Sequence, residues 1–328
     1  MRNKKFNITI KFLFSVALLL ILFLISVKAG SINVSYKEII KGIFQYKSKS
    51  ASVVYDLRFP RVFISIMAGA GIGVSGVLLQ AVMKNPLTDP GIIGISASSS
   101  FITTLIALII PGLYFFLPVF SIIGGLLGFF IIYTLSWDKG VKPVRLILVG
   151  IALNMTFIGL LSVLESISSG GVKVVSAGNI SQSTWSDVKI LFVYTVLFLL
   201  AAMFLYRKCN YLLLEDKTAR SLGINVDKDR FIVATVAVIL SSVATSIVGI
   251  VSFLGLCVPH ISRIIIGSNH KLLIPYSAIL GSIIFLLSDT VGRVLFYPYE
   301  IQASVIMSII GGPFFIFLLK KGGREYGN

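Results

Sequence analysis

Ten long apolar runs recur from one end of this chain to the other, separated by short charged or Pro/Gly-rich gaps. A helix of about 20 apolar residues spans the roughly 30 Å hydrocarbon core of a membrane. A soluble domain of 328 residues that is 56% hydrophobic and 13% charged could not bury this much apolar surface. The sequence therefore predicts an all-α, polytopic membrane protein. The predicted spans are 10–28, 62–83, 92–110, 113–135, 143–166, 188–207, 231–250, 253–267, 272–296 and 301–320.

The lysines and arginines orient these spans. With the N-terminus in the cytoplasm, most of the 29 basic residues fall in cytoplasmic gaps, as the positive-inside rule requires. Ten spans then return the C-terminus to the cytoplasm. The stretch between the first two spans breaks the rule, because six basic residues fall on its outer side: Lys37, Lys41, Lys47, Lys49, Arg58 and Arg61. Either the topology differs there, or this outer surface has a reason to be basic.

The N-terminal run also resembles a signal peptide, since Arg2, Lys4 and Lys5 precede it. Its apolar stretch from 12 to 27 is longer than the roughly 7–15 residues of a usual signal core, so we expect an uncleaved first span. The chain is then a single transmembrane domain, residues 1–328, with one long cytoplasmic segment near 207–230.

The second predicted span is rich in glycine. Gly69 and Gly73 are four residues apart and Gly76 follows, a spacing that lets two helix backbones approach closely. We expect this helix to face protein rather than lipid. The stretch NPLTDPGIIGIS at 85–96, after Lys84, predicts a tight cytoplasmic turn.

Several functional classes lack their sequence signature. A nucleotide-binding P-loop needs Gly-Lys, and the chain contains no such dipeptide. The charge of +16 lies between the spans rather than on a soluble face, which argues against nucleic acid as a partner. Cys209 and Cys257 show no CxxC spacing, and His260 and His270 have no second ligand nearby. We predict no metal, disulfide or catalytic site, and no enzyme.

An ion-coupled transporter usually carries an ionisable residue within the membrane. Asp289 and Arg293 lie four residues apart on the ninth span and can neutralise each other, and Glu165 lies near the outer end of the fifth. We favour a structural ion pair for Asp289 and Arg293, so no coupling site stands out.

The longest cytoplasmic gap, RKCNYLLLEDKTARSLGINVDKDR at 207–230, contains a predicted short helix. The helix runs from Glu215 to Leu222, and Gly223 is placed to end it. Ala219 and Leu222 would share its apolar side. Two interpretations stay open: an ordinary surface helix, or a coupling helix that docks into a separate motor subunit.

An ordered set of motifs resembles the permease family of bacterial ABC importers for iron-siderophore, haem and cobalamin. The motifs are DLRFPR at 56–61, GAGIGVSGVLLQ at 69–80, NPLTDPGIIGIS at 85–96, LILVGIALN at 146–154, ARSLG at 219–223, FLGLCVPHISR at 253–263, SDTVGR at 288–293 and GGPFFIFLL at 311–319. The resemblance implies the type II ABC importer permease architecture and a homodimer or heterodimer of permeases. It also implies two cytoplasmic ATPase subunits that use ATP, an extracytoplasmic binding protein, and no cofactor in this chain.

The resemblance also implies functional residues. Arg58, Arg61 and, less directly, Arg293 match outer-face arginines that meet glutamates of the binding protein, and guanidinium groups suit carboxylates. The alternative is that Arg58 and Arg61 lie at the bilayer surface with no partner protein. The predicted ATPase-coupling residues are Glu215, Ala219, Arg220 and Gly223. Lys142 and Pro143 fall near the family's inner gate, and Asn154, Thr156 and Ser162 either line the path or bond to neighbouring helices.

The sequence thus predicts a permease subunit in the bacterial cytoplasmic membrane that moves a ferric siderophore inward. Haem is the first alternative, because LYFFLPVFSIIGG at 113–125 is similar to haem-type members, and cobalamin is the second. A different class, an ion-coupled secondary transporter, would require an essential acid, for which Asp289 is the candidate.

Overall fold

The computed structural model describes residues 2–29, 54–136, 143–168, 180–295 and 299–322, and within these ranges it is helical with no β-strand. A π-helical turn at Val54–Arg58 and 3-10 turns at Pro111–Phe116 and Ile180–Gln182 precede three of the helices. Numbered in chain order, the helices are α1 Arg2–Lys28, α2 Phe59–Met83, α3 Ile95–Ile109, α4 Leu117–Leu135, α5 Pro143–Ser168, α6 Trp185–Phe204, α7 Tyr206–Leu212, α8 Asp216–Ser221, α9 Val226–Val248, α10 Leu254–Ile266, α11 His270–Val294 and α12 Ala303–Gly322.

Each of the ten predicted apolar runs coincides with one of these helices. Among the described residues, seven helical segments are long and apolar enough to cross a membrane, while α3, α10 and the apolar part of α12 are shorter. With 13 residues, α10 is about 20 Å long and contains Pro259, as expected of a partial crossing. The prediction of an all-α polytopic protein is confirmed, and the count of ten is approximate.

The helices run back and forth between two ends of the bundle. At one end, Lys11 Nζ in the first part of α1 donates to the carbonyl of Ile265 in α10 at 2.5 Å, and Lys84 contacts α8. At the opposite end, Arg58 at the start of α2 contacts the end of α1. We call these the α8 end and the Arg61 end. The α8 end is the one predicted to be cytoplasmic, and that orientation stays a prediction.

Helix α2 lies at the centre of the bundle. Nearly all its side chains are buried, and it packs against α6, α9, α10 and α11. A Cβ added at Gly69 would overlap the carbonyl oxygen of Gly281 in α11, and one at Gly73 would lie 3.0 Å from the Ser277 carbonyl oxygen. A Cβ added at Gly76 would lie even closer to its neighbour and would overlap the carbonyl oxygen of Gly255 in α10. The prediction that this helix faces protein is confirmed, and these contacts are all within one chain.

The segment after α2 makes the predicted tight turn, in which the Thr88 N–H donates to the Asn85 carbonyl at 3.3 Å, and then continues as a buried loop. Helix α2 ends where Lys84 adopts a left-handed conformation at φ 49°, and Gly94 at φ 89° precedes α3. Between them, Gly91 packs so closely that an added Cβ would lie 2.5 Å from the carbonyl oxygen of Val251, in the irregular stretch before α10. Two irregular segments therefore cover each other, which keeps their backbone polar groups away from lipid.

Candidate functional site

Arg61 joins two carboxylates at the Arg61 end. Its Nε donates to Asp289 Oδ1 at 2.9 Å, and its Nη2 lies 2.9 Å from the same oxygen. Its Nη1 donates to Glu300 Oε2 at 2.7 Å. The Asp289 side chain on α11 is 1% exposed, whereas the Glu300 side chain, which precedes α12, is 50% exposed. The guanidinium therefore fastens α2 both to α11 and to the segment before α12.

Arg58 and Arg293 hold the end of α1. Arg58 Nη1 donates to the carbonyl oxygen of Val27 at 2.9 Å. Arg293 donates from Nη1 to the Ala29 carbonyl at 3.2 Å and from Nη2 to Ser26 Oγ at 2.5 Å. The last carbonyls of a helix lack intrahelical partners and carry partial negative charge, so two guanidinium groups stabilise this helix end.

The three arginines predicted to meet a partner are buried in the chain. Arg58, Arg61 and Arg293 are 7%, 8% and 6% exposed. They do not form an exposed surface of the single chain, because a buried carboxylate and the carbonyls of α1 satisfy these charges in place of water. Their role in docking stays a prediction. Of the contacts described above, the one between Arg61 Nη1 and Glu300 has a half-exposed partner.

The ion pair predicted from the four-residue spacing on α11 is present. Arg293 Nε lies 3.2 Å from Asp289 Oδ2. Arg61 and Glu300 complete the cluster, and no sequence signal joins them, since Arg61 is 228 positions from Asp289 and 239 from Glu300. Held between two guanidinium groups, Asp289 serves as a structural carboxylate. This geometry disfavours it as the proton carrier that an ion-coupled transporter would need.

A cavity of about 160 Å³ lies beside this cluster. Its polar lining consists of Arg61, Ser181, Asp289, Glu300 and Gln302. A side chain or small ligand entering it would meet the contact between Arg61 and Glu300.

At the α8 end, one carboxylate fastens the short helix α8 to two long ones. Lys84 Nζ, just after α2, lies 2.6 Å from Asp216 Oδ1. Arg230 in α9 donates from Nη2 and Nη1 to the two oxygens of Asp216 at 3.0 and 3.1 Å. Burial works to raise the pKa of Asp216, but hydrogen bonds and charge from Lys84 and Arg230 outweigh it and lower that pKa. Helix α8 is thus tied directly to the end of the central helix.

The predicted boundaries of α8 are confirmed. The helix forms between Glu215 and Leu222, which are its capping residues. Gly223 follows at φ 78°, and its N–H donates to the Arg220 carbonyl at 3.0 Å, a left-handed ending that glycine adopts without steric strain.

The two faces of α8 differ from the prediction. Ala219 is 1% exposed and Leu222 is 66% exposed, so they do not share one apolar side. Ala219 anchors the helix in the bundle, whereas Glu215 and Arg220 are exposed. Exposed hydrophobic side chains flank the helix in the chain, at Tyr211, Leu213 and Leu214 before it and at Leu222 after it. An apolar patch rimmed by charged groups is typical of a protein contact surface.

Asp89 is wholly buried where the loop after α2 meets the start of α10. Its Oδ1 accepts hydrogen bonds from the N–H groups of Gly91 at 2.8 Å and Ile92 at 3.1 Å. Its carboxyl group also faces the N–H groups of Gly255 and Leu256. Burial raises the pKa of Asp89 to about 7 despite these backbone donors, which act in the opposite direction. Sequence reasoning assigned no role to this aspartate, since a loop sequence does not reveal burial.

The predicted path residues lie on or next to α5. Asn154 is 8% exposed, and Gly94 before α3 approaches its backbone. Thr156 is exposed, and its Oγ1 donates to the Ala152 carbonyl at 3.0 Å. Pro143 is the first residue of α5, and Lys142 lies outside the described residues. The described geometry therefore leaves their role in a path as a prediction.

Small and polar side chains lie on exposed surfaces of two helices. On α5 the exposed residues include Gly159, Ser162 and Glu165. On α12, Ser308 is exposed and Gly312 follows four residues later. A Cβ added at Gly159 or Gly312 would meet nothing within 4 Å. In a membrane, such surfaces are favoured where another helix packs or where water enters, rather than against lipid.

Comparison with known proteins covers almost the whole chain. The profile of the FecCD transport family matches residues 18–321. The chain is 39% identical over 324 residues to the "Probable heme-iron transport system permease protein IsdF" of Staphylococcus aureus strain MSSA476, a match that covers 99% of this chain and 98% of the relative. The protein of the same name from strain Newman matches with the same identity and coverage.

Two solved structures share the arrangement of helices. A metal-chelate type ABC transporter in an inward-facing conformation superposes with a TM-score of 0.77 at 29% identity, covering 94% of this chain and 98% of that one. PsaBC from Streptococcus pneumoniae, solved in complex with Fab, gives a TM-score of 0.57 at 17% identity over 87% of this chain and 95% of its own, which indicates a shared fold alone.

Proposed function

Because this chain belongs to the FecCD transport family, we propose that it moves an iron chelate, with haem as the first candidate, into the cytoplasm of a bacterium. The chain is an ABC importer permease and a multi-pass membrane protein, and a permease subunit is not itself an enzyme. The sequence favoured a ferric siderophore over haem. The similarity to a relative named for haem-iron transport reverses that order, with cobalamin third.

The observation that carries the mechanism is the tie between α8 and α2 through Asp216. A permease without a nucleotide-binding motif needs a surface on which an ATPase can act and a rigid connection from that surface to the membrane helices. The exposed patch around α8 supplies the first, and the contacts of Asp216 with Lys84 and Arg230 supply the second. Closure of two ATPase subunits on ATP would displace α8 and, through this tie, α2.

Replacing Asp216 with Asn tests this connection. We expect the assembled complex to hydrolyse ATP while uptake falls at least about tenfold, because the amide cannot hold both Lys84 and Arg230 as strongly. The matched control is Asp227→Asn, which removes the exposed partner of Arg220 at 2.9 Å and leaves the tie intact. Unchanged uptake by the Asp216 variant would contradict the proposal.

A bulky residue at Gly223, where the backbone is left-handed, should likewise separate hydrolysis from transport or prevent assembly.

At the Arg61 end we propose that an extracytoplasmic binding protein docks with acidic side chains. The support is the half-exposed carboxylate that Arg61 already binds, Glu300, and the cavity beside this contact. Reversal of Arg58 and Arg61 to Glu should reduce the ATPase activity that the binding protein stimulates. Both side chains are buried, so reversal of their charge can also prevent folding. Arg61→Lys keeps the charge and is the control for replacement of Arg61 itself. Stimulation that survives the charge reversal in a folded complex would remove these residues from the docking surface.

The exposed small and polar residues of α5 and α12 support a second permease copy as partner. Glu165 and Ser162 would then face the other copy, or a path between the two copies, rather than lipid. The partner is either a second copy of this chain or a related permease.

The substrate is tested by uptake into vesicles that contain the assembled complex and its binding protein. Haem, a ferric siderophore and cobalamin are supplied in parallel, with and without ATP. We expect ATP-dependent accumulation of an iron chelate, and haem to be taken up fastest. Uptake that needs a proton gradient but not ATP would favour a secondary transporter instead.

A further inference from the structure

The two carboxylates bound to Arg61 are not equivalent. Asp289 takes up Nε and Nη2 of the guanidinium, and its side chain is 1% exposed. Glu300 binds the remaining edge through Nη1 at 2.7 Å, and its side chain is 50% exposed. A buried partner cannot leave without stranding charge in the protein interior, whereas a half-exposed one can turn into water at little cost.

We propose that Glu300 is an intramolecular stand-in for an acidic side chain of the docking protein. On docking, the partner's carboxylate takes over Arg61 Nη1 and Glu300 moves into solvent, while Asp289 keeps its bonds. This inference rests on the proposed docking at the Arg61 end and specifies the group that is exchanged there.

The geometry fits an exchange of one carboxylate for another. The cavity of about 160 Å³ beside the contact is lined by both Arg61 and Glu300, so a side chain that enters it reaches the two residues that form the contact. Gln302 and Ser181 add polar groups to that lining. An acidic residue can form the bond that Glu300 forms now, and an uncharged or basic residue cannot replace its charge.

Charge balance points to the same class of partner. With Glu300 in place, two guanidinium groups, Arg61 and Arg293, face two carboxylates, Asp289 and Glu300. Withdrawal of Glu300 leaves the other three groups with one uncompensated positive charge. An incoming carboxylate restores neutrality, so exchange costs less than opening the contact without a partner.

Because Glu300 occupies Arg61 Nη1, it must be displaced before the binding protein can use that donor. This displacement lowers the apparent affinity for the binding protein. Glu300→Gln weakens the stand-in and keeps its size. An exposed ion pair contributes about 0.2–1 kcal/mol, so we expect this variant to bind the binding protein with a Kd about 1.4- to fivefold lower than the wild-type complex. Binding is measured on the full transporter in nanodiscs, with the binding protein in solution.

The matched control is Asp56→Asn. Asp56 is exposed at the same end and lies outside the cluster, so its replacement changes the charge of this surface by the same amount. Tighter binding by the Glu300 variant, with the Asp56 variant near wild type, supports the exchange. An equal gain in both variants would mean general electrostatic attraction, and no gain in the Glu300 variant would mean that no exchange occurs; either result overturns the inference.

Failure of the underlying docking proposal has a different signature. If the charge reversal leaves stimulated ATPase activity unchanged in a folded complex, docking does not use Arg61, whatever Glu300 does. If the charge reversal abolishes stimulation, Arg61→Lys keeps it and Glu300→Gln does not tighten binding, docking stands and the exchange is wrong.

Discussion

Individual charged residues in this permease hold helices together within a largely apolar protein. Asp289 forms ion pairs with both Arg61 and Arg293, and Asp216 forms ion pairs with both Lys84 and Arg230. Loss of a partner should be more damaging in the buried cluster around Asp289 than in the one around Asp216. A charge left without its partner in the protein interior is far more costly than one at the surface.

Removal of the buried carboxylate should therefore be much more damaging than removal of the exposed one. Asp289→Asn leaves two guanidinium groups without their shared counter-charge, and we expect a loss of about 3–5 kcal/mol in stability. Glu300→Gln, on the same arginine, should cost no more than about 1 kcal/mol. Thermal unfolding of the detergent-solubilised chain compares the two variants, and equal midpoints would contradict the assigned burial.

Asp89 predicts a dependence of stability on pH. Its pKa rises from 3.8 in the unfolded chain to about 7 in the folded one, so the folded state binds the proton more tightly. Its contribution to stability is then fully present below pH 4 and is lost as the pH rises towards 7, at about 1.4 kcal/mol per pH unit. Above pH 7 no further change is expected.

The measurement is the thermal midpoint of the wild-type protein minus that of Asp89→Asn, between pH 5 and 8. We expect the difference to fall up to about pH 7 and then to level off. Asp216→Asn serves as the control, because the pKa of Asp216 is lowered by Lys84 and Arg230. Its contribution is lost only in acid, so its difference should stay constant over this range. A constant difference for Asp89 as well would disprove the raised pKa.

At the scale of elements, the glycines of α2 set the distances between helices. Gly69 and Gly73 bring α11 close, and Gly76 brings the start of α10 close. Gln80 Nε2, one turn further on, donates to the Thr88 and Gly255 carbonyls at 3.3 Å each, so α2 also binds the loop that follows it and the start of α10. This helix can pack so tightly because its neighbours present glycine backbone at the contact points.

Replacing glycines of α2 with alanine distinguishes two effects on stability: the loss of close helix packing and the gain from alanine's higher helix propensity. In Gly76→Ala the new Cβ overlaps the Gly255 backbone, and we expect a loss of at least about 1–3 kcal/mol. In Gly71→Ala the nearest atom is the Leu240 carbonyl oxygen at 3.4 Å, so stability should stay the same or rise by up to about 1 kcal/mol. Thermal unfolding of the two variants measures the contrast, and similar losses would show that helix spacing is not what these glycines determine.

At the scale of the whole molecule, α2 connects the two proposed docking ends. It starts beside the Arg61 cluster and finishes one residue before Lys84, which binds Asp216 of α8. A helix of 25 residues is about 37 Å long and resists bending when packed on all sides. Displacement of α8 can therefore reach the opposite end through one rigid element.

The proposed pairing of permeases predicts a specific cross-link. Cysteine at Ser162, on the exposed polar side of α5, should form a disulfide or react with a short cross-linker between copies in native membranes. Cysteine at Val193, exposed on the apolar helix α6, should not. The natural Cys209 and Cys257 are buried and should not interfere. Cross-linking at position 193 but not at 162 would place the partner on a different face. In a heterodimer, the cross-link at position 162 would form only when the second permease carries a matching cysteine.

Sequence alone determined the membrane class, the positions of the helices, the ends of α8 and the pairing of Asp289 with Arg293. These features are local: they depend on the length of an apolar run, on a glycine that permits a left-handed residue, or on two charges one turn apart. The family also followed from the sequence, because short motifs in a fixed order remain recognisable.

Tertiary structure alone decided which of the charged residues are buried and what they bind. Arg61 meets Asp289 and Glu300 across more than 200 positions of chain, and Lys84 meets Asp216 across 132. The same holds for Asp89, because its loop sequence predicts a tight cytoplasmic turn and does not reveal that the start of α10 buries it. Burial and long-range pairing depend on how helices pack against each other, and a one-dimensional pattern of residues does not contain that information.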